Sequence, residues 1–360
     1  MTTLHESPKD GGAPAQPQAR RGAAAHFGLS DAQLIEMYTR MVQARRIADR
    51  MLVLQRQGRA PFVISGQGQE ASQVGAAYAL KRGTDWLFPY YRDLGMCVTL
   101  GMSTLDLFLN FFAKQPDPNS HGTQMAAHWS HRTLRIVSGS SPVTTQLLHA
   151  VGCALAAKLR KTREVCLTSL GEGSTAQGDF HEALNFASIH KLPVVFYVEN
   201  NGYAISEPSW KQMAVPNVAD RASAYGMRGQ VVDGNDVLAV FQTVRWAIGE
   251  ARRGHGPALI EAKTYRIVPH SSDDDDRRYR TRKELEEWMK KDPIDRFRRY
   301  LLDEGVLSEQ KLSEIDGTIE AEIRAAIRDA EAAPDPAPED ALRHVYAEPV
   351  EAARPAEVRR

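Results

Sequence analysis

Residues 165–204 read VCLTSLGEGSTAQGDFHEALNFASIHKLPVVFYVENNGYA, and the reading of this stretch decides the fold. Val165–Leu170 and Val194–Val198 are short, continuous apolar runs, as expected of strands buried on both faces. Asp179–His190 between them has helical spacing. Strand, helix, strand in this order predicts a doubly wound, mostly parallel α/β sheet. Working outward, a helix is expected over Thr145–Lys161, a strand near Val231-Val232, a helix over Val237–Arg253 and a strand over Ala258–Ala262.

The first strand ends on Gly171-Glu172-Gly173-Ser174-Thr175. A helix expected to follow within a few residues points free N–H groups at the carboxyl edge of the sheet, where phosphates bind. Glycine lets the backbone approach a ligand closely, and Glu172 offers a hard oxygen. The next strand ends on Asn200-Asn201-Gly202-Tyr203, so the Asn201 side-chain carbonyl and a nearby backbone carbonyl can meet Glu172 around one cation. An all-oxygen set without clustered Cys or His favours Mg²⁺ over Zn²⁺. Taken separately, Gly-Glu-Gly and Asn-Asn-Gly are ordinary turns. Their placement at adjacent strand ends is what makes them a site. A P-loop is excluded because Asp179-Phe180 follows Gly178, and a dinucleotide fingerprint fails at Ala176.

Composition excludes other classes. The 360 residues carry 45 Lys plus Arg and 45 Asp plus Glu, so no whole-molecule field attracts nucleic acid. No apolar run is long enough for a membrane span, and the N-terminus lacks a secretory pattern. Cys97, Cys153 and Cys166, odd in number and set in apolar stretches, read as reduced thiols of an intracellular protein rather than a disulfide framework. Residues 1–26 read as a disordered tail and 27–280 as the α/β domain. A capping box at Ser30 and Gln33 starts the fold. Residues 281–333 read as a helical region, with a second capping box at Thr281 and Glu284, Asp292-Pro293 as a helix start and a charged helix over Ser308–Ala333. Residues 334–360 read as an extended tail opened by three prolines.

The segment GEGSTAQGDFHEALNFASIHKLPVVFYVENNGYAIS resembles the thiamin diphosphate motif of the α subunits of 2-oxo acid dehydrogenase E1 components, especially the branched-chain type. The likeness runs from about Gln57 to Tyr300. It takes in Phe88-Pro89-Tyr90-Tyr91-Arg92-Asp93, Ser140 to Gln146, Val232 to Asp236, and Tyr265-Arg266 through His270-Ser271-Ser272 to Tyr279-Arg280. The resemblance implies that Glu172, Asn201 and the Tyr203 carbonyl ligate Mg²⁺. It also implies that Tyr91, Arg92 and His270 reach the diphosphate, with Ser141, Val143, Gly171, Gly173 and Ser174 beside the cofactor. Residues matching Ser140, Pro142, Thr145 and Gln146 hold potassium in branched-chain relatives, and those matching Phe62, Tyr90, Met125 and His128 line the acyl side chain. Glu172 stands where many relatives have Asp. Glu199 replaces an Arg that reaches the diphosphate in some, and Thr123 replaces another Arg common among them.

The same resemblance implies oxidative decarboxylation of a 2-oxo acid with acyl transfer to a lipoyl-bearing E2, and an E1 β subunit completing an α₂β₂ heterotetramer. The group that activates the cofactor belongs to that β subunit. His270, which titrates near neutrality, is the candidate acid/base or electrostatic residue of this chain. A bacterial cytoplasm is the expected compartment rather than a mitochondrial matrix, although the serine matching Ser271 is a phosphorylation switch in mitochondrial relatives. The acidic run Asp273–Asp276 before Arg277-Arg278 reads as a solvated loop, or as an element that orders when cofactor binds. Pyruvate and acetoin dehydrogenases are the rival readings within this chemistry, and a non-catalytic scaffold is the rival outside it.

Overall fold

The computed structural model describes residues 27–343. Five parallel strands form the central sheet: β1 (Trp86–Phe88), β2 (Cys166–Gly171), β3 (Val194–Asn200), β6 (Arg228–Asp233) and β7 (Ala258–Lys263), in the order β1-β2-β3-β7-β6. Tyr203–Ala204 (β4) and Glu207–Pro208 (β5) make a separate antiparallel pair. β1 was not expected; three residues are too few to show a period, and it is held by pairing with Cys166–Thr168. The predicted tail at 1–26 lies outside the described residues.

β3 is buried at every residue because both faces are covered. Alternate side chains of the strand enter different cores. Val195 and Tyr197 pack on the side of α1 (Asp31–Arg56), α2 (Glu70–Tyr78), α3 (Leu94–Leu100), α4 (Thr104–Phe111) and the later helix α7 (Val237–Arg252). Val194, Phe196 and Val198 pack on the opposite side, under α5 (Thr145–Leu159) and α6 (Gly178–Ile189). This parity decides which way the polar residues at the strand end point.

The caps behave unequally. Ser30 and Gln33 form the full box that opens α1. At α8 (Arg282–Met289) Thr281 accepts from the Glu284 N–H, but the expected reciprocal bond is absent, because the Glu284 carboxylate is engaged by two tyrosine hydroxyls. Asp292 with Pro293 starts α9 (Pro293–Asp303), and Ser308 starts α10 (Glu309–Ala332). α10 lies against α1 and α4, where Glu322 takes bonds from Gln43 and Thr104. The stretch after it is not simply extended. Gln115 donates to the Pro334 carbonyl at 2.9 Å, Lys114 pairs with Asp335 at 2.7 Å, and Pro338–Leu342 forms a 3₁₀ turn. Residues 344–360 lie outside the described residues.

Candidate functional site

Register brings three strand ends together. Gly171 pairs with Glu199 and Asn200 with Lys263, so the segments leaving β2, β3 and β7 emerge side by side at the carboxyl edge. The Thr264 N–H donates to the Asn200 carbonyl at 2.8 Å, continuing the ladder past the strand. The expected helix follows within a few residues: α6 starts at Gly178, and a 3₁₀ turn, Glu172–Ala176, stands between it and the strand end. Gly171 is extended, with φ of −82°, and a Cβ there would meet nothing closer than 3.9 Å. Gly173 is different: its Cβ would stand 2.3 Å from that of Ala204, so only glycine lets β4 close over the turn.

Glu172 is 1% exposed. One carboxylate oxygen accepts the Asn201 N–H at 3.2 Å; the other, Oε1, has no partner. An orphaned, buried carboxylate oxygen fits a metal ligand. Asn201 Oδ1 accepts the Tyr203 N–H at 3.2 Å, which tightens the turn that carries the Tyr203 carbonyl. These are the Mg²⁺ ligands expected from sequence, and their donor set is all oxygen.

Around them stand two buried guanidinium groups. Arg92 donates to the Ser65 carbonyl at 2.6 Å, to the His270 carbonyl at 3.0 Å and to His270 Nδ1 at 2.8 Å. Arg266, fully buried, donates to the carbonyls of Tyr203 and Ile205 at 3.3 and 2.7 Å. Neither makes an ion pair among the described residues. Burial and the proximity of Arg92 pull Arg266 below the ordinary arginine range. Buried cations with no carboxylate in ion-pair contact are costly, and a diphosphate would supply direct partners.

His270 is pushed down to about 4 by burial, then by Arg92 and Arg266. A guanidinium can only donate, so Nδ1 accepts from Arg92 and the proton sits on Nε2. The imidazole is therefore a neutral donor at pH 7. Tyr91 stacks edge-on to it at 6.4 Å and lies under Arg92 at 5.2 Å. The acidic run is tied down at several points, although Asp273, Arg277 and Arg278 face solvent. Asp274 accepts from the His270 N–H at 2.7 Å and from Tyr279, Asp275 caps the next turn and pairs with Arg277, and Asp276 pairs with Arg280. Ser272 bonds both ways with Val63.

Glu199, in place of the phosphate-contacting Arg, has the parity of Val195 and Tyr197 and points beneath α2. It accepts from Tyr90 at 2.8 Å, Ser72 at 3.1 Å and Gln73 at 3.2 Å, and burial raises it to about 7. Among the described residues it makes no hydrogen bond to Glu172, Asn201 or Tyr203, whereas Arg266, to which sequence reading gave no role, donates to the Tyr203 carbonyl. Gly66 and Gly68 were also missed. A Cβ at Gly66 would meet the Arg92 carbonyl at 2.5 Å, and one at Gly68 the Tyr265 carbonyl at 2.2 Å. Alternating glycines just before a helix were the available signal.

The other expected residues are less tightly drawn together. Tyr90 is buried, with its hydroxyl tied to Glu199, whereas Phe62 is half-buried and Met125 is 56% exposed. His128 bonds Ser141, which is exposed, as is Pro142. Ser140, Val143, Thr145 and Ser174 are half-buried. Gln146 is buried, its amide donating to the Ser169 carbonyl at 2.9 Å while its oxygen has no partner.

A parallel α/β sheet presenting a half-satisfied buried carboxylate and two buried guanidiniums without ion-pair partners at one edge has the groups that a metal-bound diphosphate would need. Residues 38–339 match the family described as dehydrogenase E1 component, and the chain belongs to it. It is 52% identical over 321 residues to the 2-oxoisovalerate dehydrogenase subunit alpha of Bacillus subtilis (strain 168), covering 89% of this chain and 97% of that one. Identity is 42% over 329 residues to the 3-methyl-2-oxobutanoate dehydrogenase subunit alpha of Mycobacterium tuberculosis (strain CDC 1551 / Oshkosh), 90% and 85% of the two chains. It is 40% over 304 residues to the pyruvate dehydrogenase E1 component subunit alpha of Staphylococcus aureus (strain Mu50 / ATCC 700699), 84% and 79% of the two.

Proposed function

We propose that this chain is the thiamin-diphosphate-binding α subunit of a branched-chain 2-oxo acid dehydrogenase E1 component. The observation that carries the reading is the pair of buried guanidiniums of Arg92 and Arg266 beside the orphaned Glu172 oxygen. Glu172, Asn201 and the Tyr203 carbonyl would hold Mg²⁺, and Arg92, with Tyr91 and His270 beside it, would hold the diphosphate. Thiamin diphosphate, when bound, supplies the carbon nucleophile that attacks the 2-oxo carbon and accepts the electron pair released with CO₂.

This chain's own part is to bind and to orient. Ser65 and Asp274 fix Arg92 and His270, so no reorganisation is needed when the anion arrives. Neutral His270 presents Nε2–H as a donor toward the reacting oxygen of the substrate. The group that activates the cofactor is assigned to a β subunit in an α₂β₂ assembly, and the acyl group passes to a lipoyl-bearing E2. The unpartnered Gln146 oxygen at the start of α5 supports a potassium ion there, with Ser140, Pro142 and Thr145. Phe62, Tyr90, Met125 and His128 are assigned to the acyl pocket. No helix among the described residues is long and apolar enough to cross a membrane, and a bacterial cytoplasm is the proposed compartment. The branched-chain preference rests on the greater identity to branched-chain relatives than to the pyruvate type. Decarboxylation rates of the reconstituted α and β chains on 3-methyl-2-oxobutanoate and on pyruvate test it: the first is expected to be faster, and faster turnover of pyruvate overturns the assignment.

A further inference from the structure

A second crevice opens at the carboxyl edge of the same sheet, where β6 and β7 end and α8 gives way to α9. It has a volume of about 560 Å³, and its walls include Asn235, Lys263, Trp288, Lys291, Arg296 and Arg299. Ligands of open parallel sheets sit outside the carboxyl ends of strands, in cavities of this size.

Its charge is uneven although the whole chain is neutral. Arg296 is held by Asp233 and Asp236 at 2.5 and 2.7 Å, and Lys263 by Glu261 at 2.6 Å. Lys291 lies over the Trp288 ring at 4.8 Å and Arg299 reaches only the Asp295 carbonyl, at 3.2 Å. Neither of these two has a carboxylate partner among the described residues. Asn235 adds an independent feature. It is only 5% exposed, and its side-chain oxygen has no donor. Buried acceptors are satisfied in native proteins, and this one sits in the wall of a cavity.

We propose that this crevice binds a phosphorylated, hydroxyl-bearing metabolite of sugar-phosphate to nucleotide size. Lys291 and Arg299 take the phosphate, and Asn235 Oδ1 accepts from a hydroxyl group. The site is separate from the cofactor site and stands whether or not the assignment of branched-chain activity does.

Calorimetry tests it, using the full chain kept in saturating thiamin diphosphate and Mg²⁺ so that the first site cannot compete. The probes are adenosine diphosphate, ribose 5-phosphate and inorganic pyrophosphate. At least one hydroxyl-bearing probe is expected to bind one per chain with a Kd below about 1 mM. K291E/R299E is expected to weaken it by roughly tenfold or more, and the neutral K291Q/R299Q to weaken it less. N235A is expected to weaken the hydroxyl-bearing probe by roughly threefold to tenfold and to leave pyrophosphate unchanged. Thiamin diphosphate affinity should be the same in all variants, which reports that each has folded. Failure of every probe to saturate, binding indifferent to K291E/R299E, or pyrophosphate binding as tightly as the hydroxyl-bearing probes with N235A silent would each overturn the proposal.

Discussion

Replacing Arg92 by methionine separates two quantities that usually move together, the stability of the empty protein and its affinity for the diphosphate. Without ligand, the substitution removes a buried cation that has no carboxylate in ion-pair contact, whose desolvation costs several kcal/mol. It also strips the donor from the carbonyls of Ser65 and His270, at about 1–3 kcal/mol each. These opposing terms are similar in size, so the thermal midpoint of the empty protein should move little. With ligand, at least one charge-assisted hydrogen bond is lost, about 1.5–3 kcal/mol, which is roughly 10- to 150-fold in Kd. His270 supplies a second readout. Burial and then Arg92 hold it at about 4 when folded, below its ordinary 6.5. The unfolded chain therefore binds the extra proton first, and the wild type loses stability as pH falls from about 6.5 toward 4. Without the guanidinium the folded pKa rises and that window narrows. Calorimetry of the reconstituted assembly and the pH dependence of the His270 ring resonances measure both effects. A Kd within about threefold of wild type, with a large fall in the midpoint of the empty protein, would refute the reasoning.

Glu172→Ala should abolish Mg²⁺-dependent cofactor binding, followed by titrating the metal into the assembly; an unchanged metal requirement rules out Glu172 as its ligand. Gly173→Ala places a Cβ 2.3 Å from that of Ala204 and should cost about 1–3 kcal/mol in denaturant unfolding. Wild-type stability in that variant would show that β4 is free to move. Glu284→Ala removes the acceptor of the Tyr203 and Tyr265 hydroxyls, worth about 1–3 kcal/mol together. Burial and Glu284 raise the Tyr203 hydroxyl, so the variant should ionise a tyrosine at lower pH in an alkaline absorbance titration. An unaltered titration would mean that the carboxylate is not shared.

β2, β3 and β7 were legible because strands covered on both faces are written as continuous apolar runs, and the helix starts because Ser30, Asp292 and Ser308 cap as their types predict. β1 was not, since nothing local marks Trp86–Phe88 as a strand; its partners lie about 80 residues away. At the site, residues whose chemistry depends on near neighbours, such as Glu172 and Asn201, were readable as a pair of turns at adjacent strand ends. Arg266, Gly66, Gly68 and Glu284 owe their roles to contacts distant in sequence. Glu199 is an intermediate case: it alternates with Val195 and Tyr197 along the strand, but that Ser72, Gln73 and Tyr90 receive its carboxylate depends on contacts distant in sequence. Likewise the Thr281 box looked complete in sequence because spacing reports that a bond is possible, not that a tyrosine elsewhere takes the carboxylate first.

The Glu284 fork has a consequence for the order in which the protein is made. The turn near residue 201 leaves the ribosome long before residue 284, yet its Tyr203 is clasped from outside by a carboxylate on α8. A nascent chain that ends before α8 carries the strand ends and their ligands without the clasp. Tight cofactor capture should therefore begin late in synthesis, once the sheet is already folded and the helices after the loop have come back across it.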